Sequence, residues 1–298
     1  MKVVREKVSQ GFSLEIDTPQ GHQVFPASVP GSIHTDLIAA GVIGDIRIDG
    51  TEAEQEWIRN ADSLYTTTIP AHSGSRNCEL TFDGLDTLAT VSVNGAVKLQ
   101  SENMHRAFSI DVTDVASSGF TLSVAFKAPL PEALKRQDEM GAYPNPYDMP
   151  YNYFRKMACS FGWDWGPITV SSGIWKPIWL VQWDQGILDE VGLVSDVVHG
   201  VPQLRVRTAG RGNASLVEVT ISGHGQEKVV TTSLGSDEVF DCQDFKLWHP
   251  RGFGEATLYN VVVRLKDETG LVVDEFTKRI GFRHVSLDQS NFGDRQKF

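Results

Sequence analysis

The sequence predicts an all-β protein built from two successive β-sandwiches. Three observations carry that reading: many short β-rich runs of about five to ten residues, mostly alternating apolar with polar; Gly, Asn, Asp and Pro between them; and no long segment with a helical period. With 298 residues, of which 41% are hydrophobic, the chain can fill two cores, since single domains run to roughly 100–200 residues.

The clearest strand signals are Cys78 to Phe82 and Ala89 to Val93, the latter closed by Asn94-Gly95. Asn-Gly accepts the positive φ angles of a tight hairpin turn. Further strands are expected over Phe120 to Phe126, Ile174 to Val181, Leu204 to Thr208, Leu216 to Ser222, Leu258 to Leu265 and Leu271 to Ile280. Helices are few. Ser32 is an N-cap candidate ahead of Ile33, Leu37 and Ala40, which share one face, and Gly41 supplies the left-handed stop. Thr51-x-x-Glu54 has the spacing of a capping box ahead of Trp57 and Ile58, and Pro131 suits the first turn of a third helix running toward Met140. The following Gly141 to Pro150 holds too many prolines for helix or central strand, so it is expected as a long shaped loop.

The first domain is expected over 1–185, ending near Gln185-Gly186 after the strand Trp179 to Trp183. Residues 186–284 carry strand signals at immunoglobulin-like spacing without a Cys-Trp-Cys signature, which predicts a small sandwich. Residues 285–298 lead into a polar tail from Ser290 with neither cap nor closing strand, as expected of a severed connection.

Charge and cysteine use narrow the function. With 27 Lys+Arg against 38 Asp+Glu, the formal charge of -11 opposes phosphate binding, so no nucleic-acid partner is expected. There is no apolar run of about 18 residues and no signal-peptide pattern at Met1 to Glu6, so no membrane partner and a cytoplasmic location are expected. Cys78, Cys159 and Cys242 are odd in number and far apart, which predicts three inert buried thiols in a reducing compartment. The eight histidines show no metal-ligand spacing, and no metal or other cofactor is expected.

The densest unusual segment is Phe161-Gly162-Trp163-Asp164-Trp165-Gly166-Pro167. Indole faces stack on the C–H faces of sugar rings, and a carboxylate accepts paired hydrogen bonds from vicinal hydroxyls. Trp163, Asp164 and Trp165 are therefore the candidate sugar-binding residues. The same residues also suit two core indoles with Asp164 closing a turn.

Arg155-Lys156 followed by Cys159-Ser160-Phe161-Gly162-Trp163-Asp164-Trp165-Gly166-Pro167 resembles the signature of the sugar-binding domain of β-mannosidases in glycoside hydrolase family 2. Other matches follow in the family's order. They are Val29-Pro30-Gly31 with His34 to Leu37, Phe82 to Thr87 with Ala89 and Val93-Asn94-Gly95, Asn103 to Arg106, and Gly173 to Pro177. In the second domain, Leu247-Trp248-His249-Pro250 with Gly252, Gly254, Leu258 and Tyr259 resembles the family's tryptophan-proline-glycine turn, and Gly281-Phe282-Arg283 its hinge. The resemblance implies a jelly-roll-like, galactose-binding-type sandwich followed by an immunoglobulin-like sandwich. It also implies a missing (β/α)8 barrel domain as partner and a terminal β-mannoside as ligand, bound weakly without that barrel.

One departure is local: the family's Trp-x-Tyr element reads Ser63-Leu64-Tyr65 here, which weakens one packing expectation. The other concerns chemistry. Retaining hydrolysis needs two carboxyls about 5–5.5 Å apart, and the family's pair lies in the barrel, so no catalytic residue is expected in this chain. The acidic clusters Glu52-x-Glu54-x-Glu56 and Asp138-Glu139 read as solvated faces, and His105 and His249 as structural. Arg155 and Lys156 suit orientation of the Trp-Asp-Trp loop, contact with acidic groups of a neighbouring domain, or ordinary surface charge. The competing classes are a freestanding carbohydrate-binding module and a structural interaction domain, the latter suggested by Trp175, Trp179 and Trp183.

Overall fold

The computed structural model describes residues 2–48, 50–72, 74–146, 149–164, 166–287, 291, 292, 295 and 296, the last four at backbone level. The fold divides into two compact units, Val4–Gln182 and a second comprising Met1–Val3 with Trp183–Phe298.

In the first unit the strands are β1 (Val4–Val8), β2 (Phe12–Thr18), β3 (Gly21–Ala27), β4 (Ser63–Ile69), β5 (Asn77–Phe82), β6 (Leu88–Val93), β7 (Ala96–Glu102), β8 (Phe108–Asp111), β9 (Phe120–Phe126) and β10 (Ile178–Trp183). They form a four-stranded sheet in the order β1-β10-β5-β8 and a six-stranded sheet in the order β3-β2-β4-β9-β6-β7. Alternation decides the faces. In β2 and β4 every second side chain is buried, from Phe12, Leu14 and Ile16 to Tyr65 and Ile69, and these meet Leu80, Phe82, Ile178 and Leu180 in one core. The β6–β7 hairpin turns through Asn94 (φ 49°) and Gly95 (φ 79°), where positive φ favours these residue types.

Helices α1 (Ile33–Ala39), α2 (Thr51–Glu54), α3 (Thr113–Ala116) and α4 (Pro129–Met140) are peripheral. Ser32 caps α1 by accepting from the Thr35 N–H, and α1 buries Ile33, His34, Asp36 and Leu37, whereas Ala40 is exposed. The capping box expected at Thr51 is not formed. Gly50 occupies the N-cap, and the Thr51 hydroxyl instead donates to the carbonyls of Asp45 and Ile48, closing the preceding turn. The third expected helix runs Pro129–Met140 with Pro131 in its first turn, as expected, whereas the strand expected from Ile174 starts only at Ile178, just past Pro177. Tyr65 packs into the core although the family's tryptophan is absent before it. It is fully buried, edge-on to Phe126 at 5.8 Å, and donates to Asp36 Oδ2 at 2.9 Å.

The second unit contains β11 (Gly186–Val198), β12 (Val201–Gly212), β13 (Leu216–Gly223), β14 (Gln226–Ser233), β15 (Asp237–Asp241), β16 (Tyr259–Lys266) and β17 (Val272–Ile280). These make a three-stranded sheet, β11-β12-β15, and a four-stranded sheet, β14-β13-β16-β17. Its core joins Val217, Val219, Ile221, Val261, Val263 and Leu265 to an aromatic knot of Phe245, Tyr259 and Phe282, with ring centroids 4.7–5.7 Å apart. Phe282, expected as part of a hinge, is thus fully buried, while Arg283 lies 4.8 Å over the Trp248 ring. The polar tail from Ser290 falls largely outside the described residues; Asn291–Phe292 pairs with Arg295–Gln296.

The three thiols are not alike. Cys78 and Cys242 are buried, and desolvation pushes each up to about 11. Cys159 is exposed, contrary to the expectation of three buried thiols, because the short 3₁₀ turn Ala158–Phe161 directs Ser160 and Phe161 inward instead.

Candidate functional site: the Trp-Asp-Trp loop and its base

The loop leaves the 3₁₀ turn at Gly162, whose φ of +126° few L side chains adopt and where a Cβ would lie 3.4 Å from Ile168. Beyond it the Gly166 N–H reaches the Trp163 carbonyl at 3.5 Å, so Asp164 stands at the tip of a narrow turn. Trp163 is 42% exposed, which removes it from the core, and Asp164 is exposed with no hydrogen bond or ion pair on its carboxylate among the described residues. Trp165 lies outside the described residues. The clefts described in this unit lie elsewhere, one of about 320 Å³ between Glu15, His22, Asp62 and Lys127.

The base of the loop is tightly held. The N–H groups of Thr169 and Val170 both donate to the Ser160 carbonyl, at 3.1 and 2.9 Å, and the Ile168 N–H donates to Glu52 Oε1 at 2.8 Å. Glu52 is therefore an anchor of the loop and not a member of a solvated acidic face. Phe161, Val170, Leu130 and Ala133 form a separate small core against which Met149, Tyr151, Phe154 and Ile168 pack, so α4 and the proline-rich loop share their support with the Trp-Asp-Trp loop. Arg136 of α4 adds a bidentate pair to Glu102, at 2.8 and 3.0 Å, and a bond to the Tyr153 carbonyl.

Lys156 proves not to be surface charge. Its ammonium is buried and donates at 2.6 Å to Asp86 Oδ1, Asp86 Oδ2 and the Ser171 carbonyl. Asp86 also accepts from the Thr87 hydroxyl and exchanges backbone bonds with Gly173 at 2.9 and 2.8 Å. His34 Nδ1 pairs with the Ser171 hydroxyl at 2.8 Å. Burial first, and the Lys156 charge second, hold His34 down to about 4, so its imidazole is neutral near pH 7. Burial likewise lowers Lys156 from its ordinary value, and Asp86 opposes that shift. Nearby, burial raises Asp36 while the Ser28 N–H and the Tyr65 hydroxyl pull it down.

Sequence reasoning missed Asp86, His34 and Ser171 as a group because they are separated by up to 137 residues, and it took Asp86 only as part of a hairpin pattern. Arg155 is exposed, and its backbone pairs with Met104 and Glu102. The indoles Trp175 and Trp179 are committed within the first unit, donating to the Met104 carbonyl at 3.0 Å and to Asp83 at 2.8 Å. His105 is exposed; His249 sits against Gly254. Among the described residues no cluster of three His, Cys, Asp or Glu could hold a metal, and no helix is long and apolar enough to cross a membrane.

The chain thus presents two β-sandwiches, the first carrying an exposed indole and an exposed carboxylate at the tip of a pinned loop. Residues 14–176 match the glycosyl hydrolase 2 galactose-binding domain-like family and residues 200–283 the glycosyl hydrolases family 2 model, and the chain belongs to glycoside hydrolase family 2. It is 33% identical to Beta-mannosidase B of Aspergillus terreus over 88% of this chain and 33% of that protein. It is 29% identical to Beta-mannosidase A of Aspergillus aculeatus over 92% of this chain and 34% of that one. The crystal structure of a Beta-D-Mannosidase from Dictyoglomus thermophilum superposes with a TM-score of 0.88 at 26% identity, covering 100% of this chain and 38% of that chain. The chain spans about a third of the length of the curated relatives it matches. The galactose-binding-like and immunoglobulin-like sandwiches are present, and the described residues contain no (β/α)8 barrel.

Proposed function

We propose that this chain is the non-catalytic N-terminal part of a retaining exo-β-mannosidase, in which Trp163, Asp164 and Trp165 help hold the terminal mannose. The observation that carries this reading is the exposed Asp164 carboxylate, unpaired among the described residues, beside a half-exposed indole on a loop whose base is rigidly tied. A carboxylate held so can accept two hydroxyl hydrogen bonds and fix the ring's orientation. The two carboxyls that cleave the glycosidic bond belong, in this reading, to a barrel elsewhere in the polypeptide, so the sandwiches alone hydrolyse nothing and bind sugar weakly. The free, exposed Cys159 thiol supports placing the protein in a reducing, cytoplasmic compartment.

Asp164→Ala in the full-length protein tests the proposal. Charge-assisted bonds are worth about 1.5–3 kcal/mol each, so losing one or two lowers kcat/KM on an aryl β-mannoside by roughly ten- to a hundredfold or more. The thermal midpoint stays put, because an exposed carboxylate supports no core. Unchanged kcat/KM, or a variant that does not fold, makes Asp164 a turn residue.

A further inference from the structure

Lys156 is the residue immediately before the 157–170 loop segment and Ser171 the residue immediately after it. One buried ammonium therefore joins the two ends of the segment that carries Trp163 and Asp164, and through Asp86 it fastens that junction to the turn between β5 and β6. An ammonium has three N–H donors, and all three are used here. The Asp86 backbone is also paired in both directions with Gly173, two residues beyond Ser171. His34 holds the same Ser171 from α1. A buried ion pair is a poor source of net stability compared with a well-packed apolar pair, and its best-attested use is to specify one arrangement.

We propose that Lys156 is a positioning residue for the sugar loop: by clamping Asp86 and the Ser171 carbonyl it fixes where Asp164 and Trp163 stand. The kinetic part of this proposal rests on the mannose-binding reading above, whereas the clamp itself does not. The informative comparison uses Lys156→Met, which strands the Asp86 charge, and the double variant Asp86→Asn/Lys156→Met, which removes both charges and so lifts the burial penalty. Hydrogen exchange is followed at loop amides 158–164 and 168–171 and at the core strands β6 and β9.

In the double variant the core amides regain protection within about twofold of the parent, while loop amides exchange at least tenfold faster. Loop amides that regain protection together with the core, or loop and core amides accelerated by the same factor in both variants, make the pair a general fold element and overturn the clamp. In the full-length protein the double variant raises KM and lowers kcat/KM at least tenfold, and adding Asp164→Ala to it costs less than the same change costs the parent. Full additivity means that Lys156 does not act through Asp164 and overturns the positioning role. The two readings fail separately: the exchange pattern decides the clamp, and the single Asp164→Ala variant decides the sugar contact.

Discussion

The two sandwiches bury charge in opposite ways. In the second, the buried carboxylates serve the backbone. Asp267 accepts from the N–H groups of Thr269 and Leu271 within its own turn, and Asp274 accepts from Leu188 and Glu275. Its apolar interior is aliphatic strand residues around the Phe245, Tyr259 and Phe282 rings, with the Tyr259 hydroxyl donating to Gln226 and the buried Thr232 hydroxyl to Ser236. In the first, buried charged and polar side chains answer one another across long stretches of chain: Lys156 to Asp86, His34 to Ser171, Tyr65 to Asp36. The second sandwich satisfies its buried carboxylates largely with backbone N–H groups, and the first satisfies its buried charges largely with other side chains.

If the second sandwich rests on its knot, Phe282→Ala should give the largest loss, about 3–5 kcal/mol of its stability, as expected for emptying a fully buried aromatic site. Urea unfolding read by exchange at β13 and β16 amides checks this. A loss below about 1 kcal/mol would mean that the knot is cosmetic and the contrast with the first sandwich is overdrawn.

The first sandwich should instead be sensitive to acid. His34 titrates at about 4 when folded against an ordinary 6.5, so the unfolded chain takes up the proton first. Stability is therefore present above pH 6.5 and is lost as pH falls toward 4, by up to roughly 3 kcal/mol from this group. Asp36, raised by burial, acts in the opposite sense near the bottom of that window. Urea midpoints followed by exchange at β4 and β9 between pH 7 and pH 4.5 should fall, and His34→Asn should flatten the fall. An equal fall in the variant assigns the acid sensitivity to other groups.

The smallest effect belongs to the surface pairs of the three-stranded sheet, among them Arg205 with Asp237 at 2.7 Å and Arg211 with Asp189 at 2.7 Å. Solvent and salt screen such exposed pairs. Arg205→Ala should leave the thermal midpoint unchanged in 0.15 M salt, roughly physiological ionic strength. A clear drop there would show that the second sandwich, too, depends on its charges.

What the sequence determined by itself is what local chemistry encodes. The Asn94-Gly95 turn, the alternation of Phe120 to Phe126 and Leu216 to Ser222, the Ser32 cap and the ordered family motifs were legible because each depends on neighbours within a few residues. The Trp163-Asp164-Trp165 segment was legible as unusual for the same reason. Local pattern could not say that β5 and β6, consecutive in the chain, belong to different sheets, because a period of two fixes a strand's faces and not its partner. Nor could it distinguish Lys156 from Arg155, adjacent cations of which one is buried and the other exposed. That decision rests on Asp86, 70 positions away, and on the Ser171 carbonyl. Only the closed fold brings them within 2.6 Å of the ammonium, and a buried charge is stable only where such partners already stand.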